Sequence, residues 1–176
     1  VATCWAECMA LLEKEQRDNV YMLIDIGYSV QIAKEVLLEA MKSADSRTKR
    51  LFIGVPAEFV TVVTKEVSVR LDRQRRVIDD DISYLLKKGD DFDQSKYLTI
   101  NTSAIYFAVD GQDKIYSDVR DMDAQQVEAC VSYMLCERTF VEMFDTVASE
   151  LGFTDVRYVA TCWAECMALL EKEQRD

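Results

Sequence analysis

The chain has 176 residues, of which 49% are apolar, and 21 basic against 32 acidic side chains give a formal charge of −11. That length and apolar content predict one domain with a true hydrophobic core, and the negative balance repels phosphate backbones and anionic lipid, which excludes nucleic acid and membrane surfaces as expected partners. Histidine is absent, so the imidazole base, the imidazole metal ligand and the triads built on them go together, and a chain that is not an enzyme is expected.

Glycine occurs five times and proline once, at Pro56, too rarely for Gly-rich phosphate cradles or long flexible linkers. No run of about 18 apolar residues and no signal-peptide succession at the start are seen. A cytoplasmic location is the expectation.

In chain order, the first element is also the most unusual. Residues 1–18, VATCWAECMALLEKEQRD, recur without a change at 159–176. Natural duplications drift, and the spacing of the copies lies far outside solenoid periods of roughly 20–50 residues. The chain reads as a circle cut with overlapping ends, a permuted or fused chain; a natural terminal duplication is the alternative. Within the copy, Trp5, Cys8, Met9 and Leu12 fall at i, i+3, i+4 and i+7 and predict a short helix. Val20 to Ile26 then reads as a strand, Gly27 as a turn and Ser29 as a helix cap. Ala33, Val36, Leu37, Ala40 and Met41 give the buried face of the next helix.

Leu51 to Val55 predicts a buried strand ending at Pro56, and the β-branched run 58–71 a long strand of two arms or one bent arm. Asp79 is expected to cap a helix carrying Ile82, Leu85 and Leu86 and stopped by Gly89, with Asp80 and Asp81 at the positive end of its dipole. After a loop at 90–96, strands are predicted at Tyr97 to Ile100 and Ile105 to Val109, the second turning at Asp110 and Gly111. Val127 to Cys136 reads as a strand, Phe140, Phe144, Val147, Ala148 and Leu151 as a helix closed by Gly152, and Val156 to Ala160 as a strand entering the second copy. Helices alternate with antiparallel hairpins without a strict βαβ rhythm. The fold class is therefore α+β, a small, mostly antiparallel sheet with helices packed on it.

The ordered set IAKEVLLEAMKSAD, RLFIGVPAEFVTVVTKEVSVRL, RRVIDDDISYLLKK, YFAVDGQDKIYSD and VEACVSYMLCERTFVEMFDTVASELGF resembles the FtsA branch of bacterial actin-like proteins, with pilus-assembly PilM proteins sharing the plan. YVATCWAECMALLEKEQRDNVYMLIDIG, read across the join, is similar to the passage into that family's second large domain. The resemblance implies an SHS2-like subdomain over 30–158, a strand and DIG turn at 19–29, and the duplicated segment at 1–18 and 159–176. Asp25 and Gly27 match the family's ATP-binding turn, but Tyr28, Ser29 and Val30 stand where small residues approach phosphate, so no ATP and no other cofactor is expected. The family's role implies self-association and docking to division or assembly proteins.

Three groups of side chains suggest chemistry of their own. Cys4, Cys8, Cys162 and Cys166 could form a four-thiolate zinc site, since thiols four apart on a helix share a face; the alternative, preferred here, is that they are buried small residues beside Trp5 and Trp163, with Cys130 and Cys136 likewise in the core. No metal is expected. Asp79, Asp80, Asp81, Asp90, Asp91 and Asp93 read as caps and solvated loop residues in preference to acid–base pairs or a calcium loop. Arg70, Arg73, Arg75 and Arg76 form one basic run, which either meets an acidic partner or simply solvates a strand exit. Together with Phe59, Thr61 and Val63 on the long strand they are the expected partner-binding residues of a non-catalytic interaction module. A small acidic metal-binding or enzymatic domain using carboxylates and thiols is the alternative.

Overall fold

The computed structural model describes residues 20–23, 34, 35, 37–39, 41, 42 and 49–169. The first copy of the repeat, the DIG turn with Asp25 and Gly27, and Ser29 lie outside them. In chain order the elements are β1 (Val20–Leu23), β2 (Arg50–Val55), a 3-10 turn (Ala57–Phe59), β3 (Val60–Arg76), α1 (Asp79–Lys88), β4 (Tyr97–Val109), β5 (Asp123–Glu137), α2 (Arg138–Glu150), β6 (Asp155–Ala160) and α3 (Thr161–Leu169). Residues 34, 35, 37–39, 41 and 42 are also helical. The architecture is α+β, and the chain divides into two compact units, residues 1–60 with 136–176, and residues 61–135.

In the first unit the strand order is β1-β2-β6 and both pairings are parallel, with Val20 beside Leu51 and the six residues of β2 beside those of β6, from Arg50 and Asp155 to Val55 and Ala160. Parallel neighbours cannot be joined by a tight turn and need a crossover. The helical residues between 34 and 42 occupy the chain between β1 and β2, and α2 occupies the chain between β2 and β6. A βαβ rhythm is therefore present after all. It is hidden because residues 61–135 are inserted between β2 and the helix that belongs to it, and among the described residues the antiparallel sheet lies in the inserted unit.

Leu51, Ile53 and Val55 of β2 are fully enclosed, and α2 buries Phe140, Val141, Phe144, Val147 and Ala148. Those helix positions repeat at three and four residues, the stripe expected of an amphipathic helix. The Phe140 ring lies 4.8 Å from Phe59 and 4.7 Å from Phe144. Helix α2 closes with Gly152 at φ +81°, where the Gly152 and Phe153 N–H groups donate to Ser149 and Ala148 (3.1 and 3.0 Å). This is a Schellman motif, satisfying carbonyls the helix end would leave bare.

The second unit is a three-stranded antiparallel sheet in the order β3-β5-β4, with α1. Strand β5 alternates strictly: Val127, Ala129, Val131, Tyr133 and Leu135 are buried, while Gln126, Glu128, Cys130, Ser132 and Met134 are half-buried on the opposite face. Leu85 of α1 joins Val69, Leu71, Phe107 and Val109 in the core with that buried set. Strand β3 is one continuous strand of 17 residues. Strand β4 is also continuous, where two strands are predicted from the sequence; Asn101, Thr102, Ser103 and Ala104 contain no glycine or proline to interrupt the ladder.

At the end of β4, Asp110 and Gly111 take φ values of +51° and +67°, and Gln112 N–H donates to the Val109 carbonyl at 3.0 Å. The Asp110 carboxylate accepts from the backbone N–H groups of Gln125 and Gln126, both at 2.8 Å, and so ties the turn to β5. The start of α1 differs from expectation. The cap position is Ile78, which has no side-chain acceptor, and the capping carboxylate is Asp81, reaching back to the Ile78 N–H at 3.0 Å.

Candidate interaction surface

Strand β3 lies at one side of its sheet, with β5 as its sheet neighbour, so along much of its length its outer backbone groups are not engaged by another strand among the described residues. Near its middle, Lys88 of α1 donates to the Ser68 carbonyl at 2.7 Å. Alternation sorts the side chains. Val62, Thr64, Glu66, Ser68, Arg70 and Asp72 are exposed, whereas Val63 and Val67 pack on the core and Val69 and Leu71 are inside it. Val62 on β3 and Ile105 on β4 are exposed apolar residues, 54% and 57% accessible.

The expected partner-binding residues are not gathered into one patch. Thr61 is exposed, as are Arg70, Arg73 and Arg76, but Val63 is half-buried against the core and Phe59 is half-buried against Phe140. Arg75 is engaged by Asp81 through two hydrogen bonds of 2.7 Å each. That contact is the chief reason the Asp81 carboxyl sits below its ordinary pKa, and the Ile78 N–H adds to it. The basic run is thus interrupted by a clamp that holds the start of α1. A run of arginines in a sequence gives charge but not which guanidinium is already spoken for.

The face of this sheet that points away from the core holds a feature the sequence reading missed. Glu66 and Ser68 of β3, Tyr106 and Ala108 of β4, and Gln126, Glu128 and Cys130 of β5 line a shallow, open groove of about 360 Å³. The Tyr106 hydroxyl interacts with Cys130 and Glu66, and its pKa is raised, first by desolvation and then by those two groups. The period-two pattern of β5 was the available signal: it puts Cys130 opposite the core-facing Ala129 and Val131.

The carboxylates have structural work. Asp90 accepts from the Thr99 hydroxyl at 2.6 Å, Asp93 from the Ser95 hydroxyl at 2.6 Å and its N–H at 3.0 Å, and Asp91 pairs with Lys65. The same ammonium donates to the Gly89 carbonyl at 3.0 Å and lies 3.8 Å from the Phe92 ring centre. Among the described residues no three cysteines or carboxylates are grouped as metal ligands.

The cysteine expectation needs correction. Cys136 is enclosed, and burial pushes its thiol up to about 12, but Cys130 is only half-buried, and Cys162 and Cys166 are exposed on α3. Helix α3, TCWAECMAL, is apolar in composition yet leaves Trp163 36% exposed; the sequence suggests burial because composition cannot say what the fold sets against a helix. No protein-family model matches the chain, and no curated protein matches it.

Proposed function

We propose that the chain is a non-catalytic protein–protein interaction module that self-associates or docks a partner by strand addition to the outer edge of β3. The observation that carries this reading is the position of β3: a strand of 17 residues at the side of a three-stranded sheet. Strand addition recovers backbone hydrogen bonds along such an edge and takes specificity from alternate side chains, here Val62, Thr64, Glu66 and their neighbours. The likeness of the ordered segments to the FtsA branch supports placing the module in a cell-division or filament-assembly protein, working in the cytoplasm. Among the described residues no helix is long and apolar enough to cross a membrane.

Paired lysines on the outer strand, Val62→Lys with Thr64→Lys, test the reading. Both positions are exposed, so the fold is retained, while two charges disfavour edge pairing. Light scattering of the full chain at increasing concentration is expected to show association that the double variant lacks. Association of equal strength in the variant, or a monomer at all concentrations with no strand-donating peptide bound, refutes it.

A further inference from the structure

We propose that two copies of this chain pair β3 against β3, antiparallel, with Ser68 of one protomer opposite the partner's Ser68 on a two-fold axis, so that Glu66 faces the partner's Arg70 and Arg70 faces the partner's Glu66. The inference rests on the strand-addition reading above and commits it to one occupant, a second copy, and to one register.

The charge pattern of the strand carries the choice of occupant. Of the basic residues on β3, Lys65 and Arg75 are engaged within the chain by Asp91 and Asp81. On the face pointing away from the core, the two-residue period brings out Glu66, Arg70, Asp72 and Arg76, all exposed. These are two acids and two bases. A partner strand of a single sign would meet as much repulsion as attraction there, whereas a strand of the same composition can match it pair by pair.

The register follows from length and charge together. In an antiparallel pair related by a two-fold axis, a residue two positions before the axis faces the residue two positions after it in the partner, on the same face of the joined sheet. Ser68 is the midpoint of Val60–Arg76, so an axis there pairs the strand over its whole length and recovers the most backbone hydrogen bonds. The same axis makes the Glu66–Arg70 match twice and sets Thr64 opposite the partner's Asp72, a hydroxyl that can donate to a carboxylate. Neighbouring axes do worse. At Glu66 or Arg70 the axis brings like charges face to face, at Val69 it sets Glu66 opposite the partner's Asp72, and at Val67 it sets no charge on that face opposite another. An axis at Leu71 would pair Arg70 with the partner's Asp72, but it leaves residues 60–65 of each strand without a partner strand. The Ser68 carbonyl already accepts from Lys88 at 2.7 Å, and a carbonyl oxygen has a second lone pair for an incoming N–H.

The test uses the full chain. A residue on the axis meets its own copy, so Ser68→Cys under mild oxidation is expected to give a covalent dimer whose disulfide, located by peptide mapping, joins position 68 of both copies, at a Cα separation of about 4.5–5.5 Å that suits the bond. Thr64→Cys, eight residues from its own copy along the joined strands, should not cross-link at that position. Arg70→Glu and Glu66→Arg should each weaken dimerisation about tenfold or more, since two attractive cross-strand pairs become two repulsive ones, and an equimolar mixture of these two variants should dimerise like the parent. Cross-linking of Ser68→Cys no faster than Thr64→Cys, or a mixture that associates no better than its components, overturns the proposal. If the parent then still associates and Val62→Lys with Thr64→Lys prevents it, the strand-edge reading stands and this register alone falls. A monomeric parent that binds a strand-donating peptide likewise removes the second copy as occupant while keeping the edge.

Discussion

Replacing Gly89 by alanine tests how α1 is seated. Glycine after a helix is commonly kept for a positive φ, but Gly89 has φ −87° and ψ −5°, values open to any residue. The constraint is steric. A β-carbon built there overlaps the Tyr133 hydroxyl and lies 2.6 Å from a Val67 methyl, and Tyr133 is fully enclosed. The hydroxyl cannot simply swing away, since it donates to the Leu86 carbonyl at 2.8 Å, one of the acceptors in the last turn of α1 that the helix itself leaves unpaired. Overpacking of this kind costs about 1–3 kcal/mol, and the collision with an enclosed ring places Gly89→Ala towards the upper end. Tyr133→Phe alone loses one hydrogen bond and strands the Leu86 carbonyl, about 1–1.5 kcal/mol. It also removes the atom the new methyl strikes first. The double variant should therefore be more stable than the sum of the single effects by about 1 kcal/mol, the remainder being the Val67 contact. Denaturant unfolding followed by circular dichroism measures all three. Wild-type stability for Gly89→Ala, or strict additivity in the double variant, refutes the steric account.

Alkaline pH should destabilise the first unit. Burial, helped by Glu137, raises the Cys136 thiol to about 12, and burial followed by the Asp145 contact raises the Tyr158 phenol. In each case the folded state keeps a proton the unfolded state loses, so stability is full below the unfolded pKa values near 8.5 and 10 and falls as pH rises above them, by about 1.4 kcal/mol per pH unit for each group. Cys136→Ala should remove the earlier part of that slope and Tyr158→Phe the later part in denaturant titrations at stepped pH; unchanged slopes contradict the burial argument. Asp81→Ala should cost about 1–2 kcal/mol through loss of the cap, whereas Arg75→Ala should cost less because the Ile78 hydrogen bond to Asp81 remains; equal losses would show that the ion pair, not the cap, matters. Since the Asp81 pKa is lowered, its contribution should be present above about pH 4 and fade on acidification. A thiol reagent under native conditions should modify Cys162 and Cys166 promptly and Cys136 only on unfolding, a pattern that peptide mapping reads directly.

Local chemistry was enough to place most elements. Alternation marked β5, three-and-four spacing marked α2, Gly152 ended that helix at a positive φ, and Asp110 with Gly111 made the turn their residue types favour. These depend on interactions within a few residues, and the fold class followed from them. What only tertiary structure decided was partnership across long sequence distances. Strand β2 finds β6 across the whole inserted unit, which hides the parallel sheet from a reading made neighbour by neighbour. Even at a separation of six residues, the turn into α1 decides that Arg75 is a clamp and not a free charge, because it brings Asp81 to it. Gly89 is fixed by a tyrosine on β5, and the α3 thiols are exposed among the described residues, although their helix is apolar in composition. A sequence encodes each residue's preferences at its own position; which distant atoms share its space emerges only when the chain closes on itself.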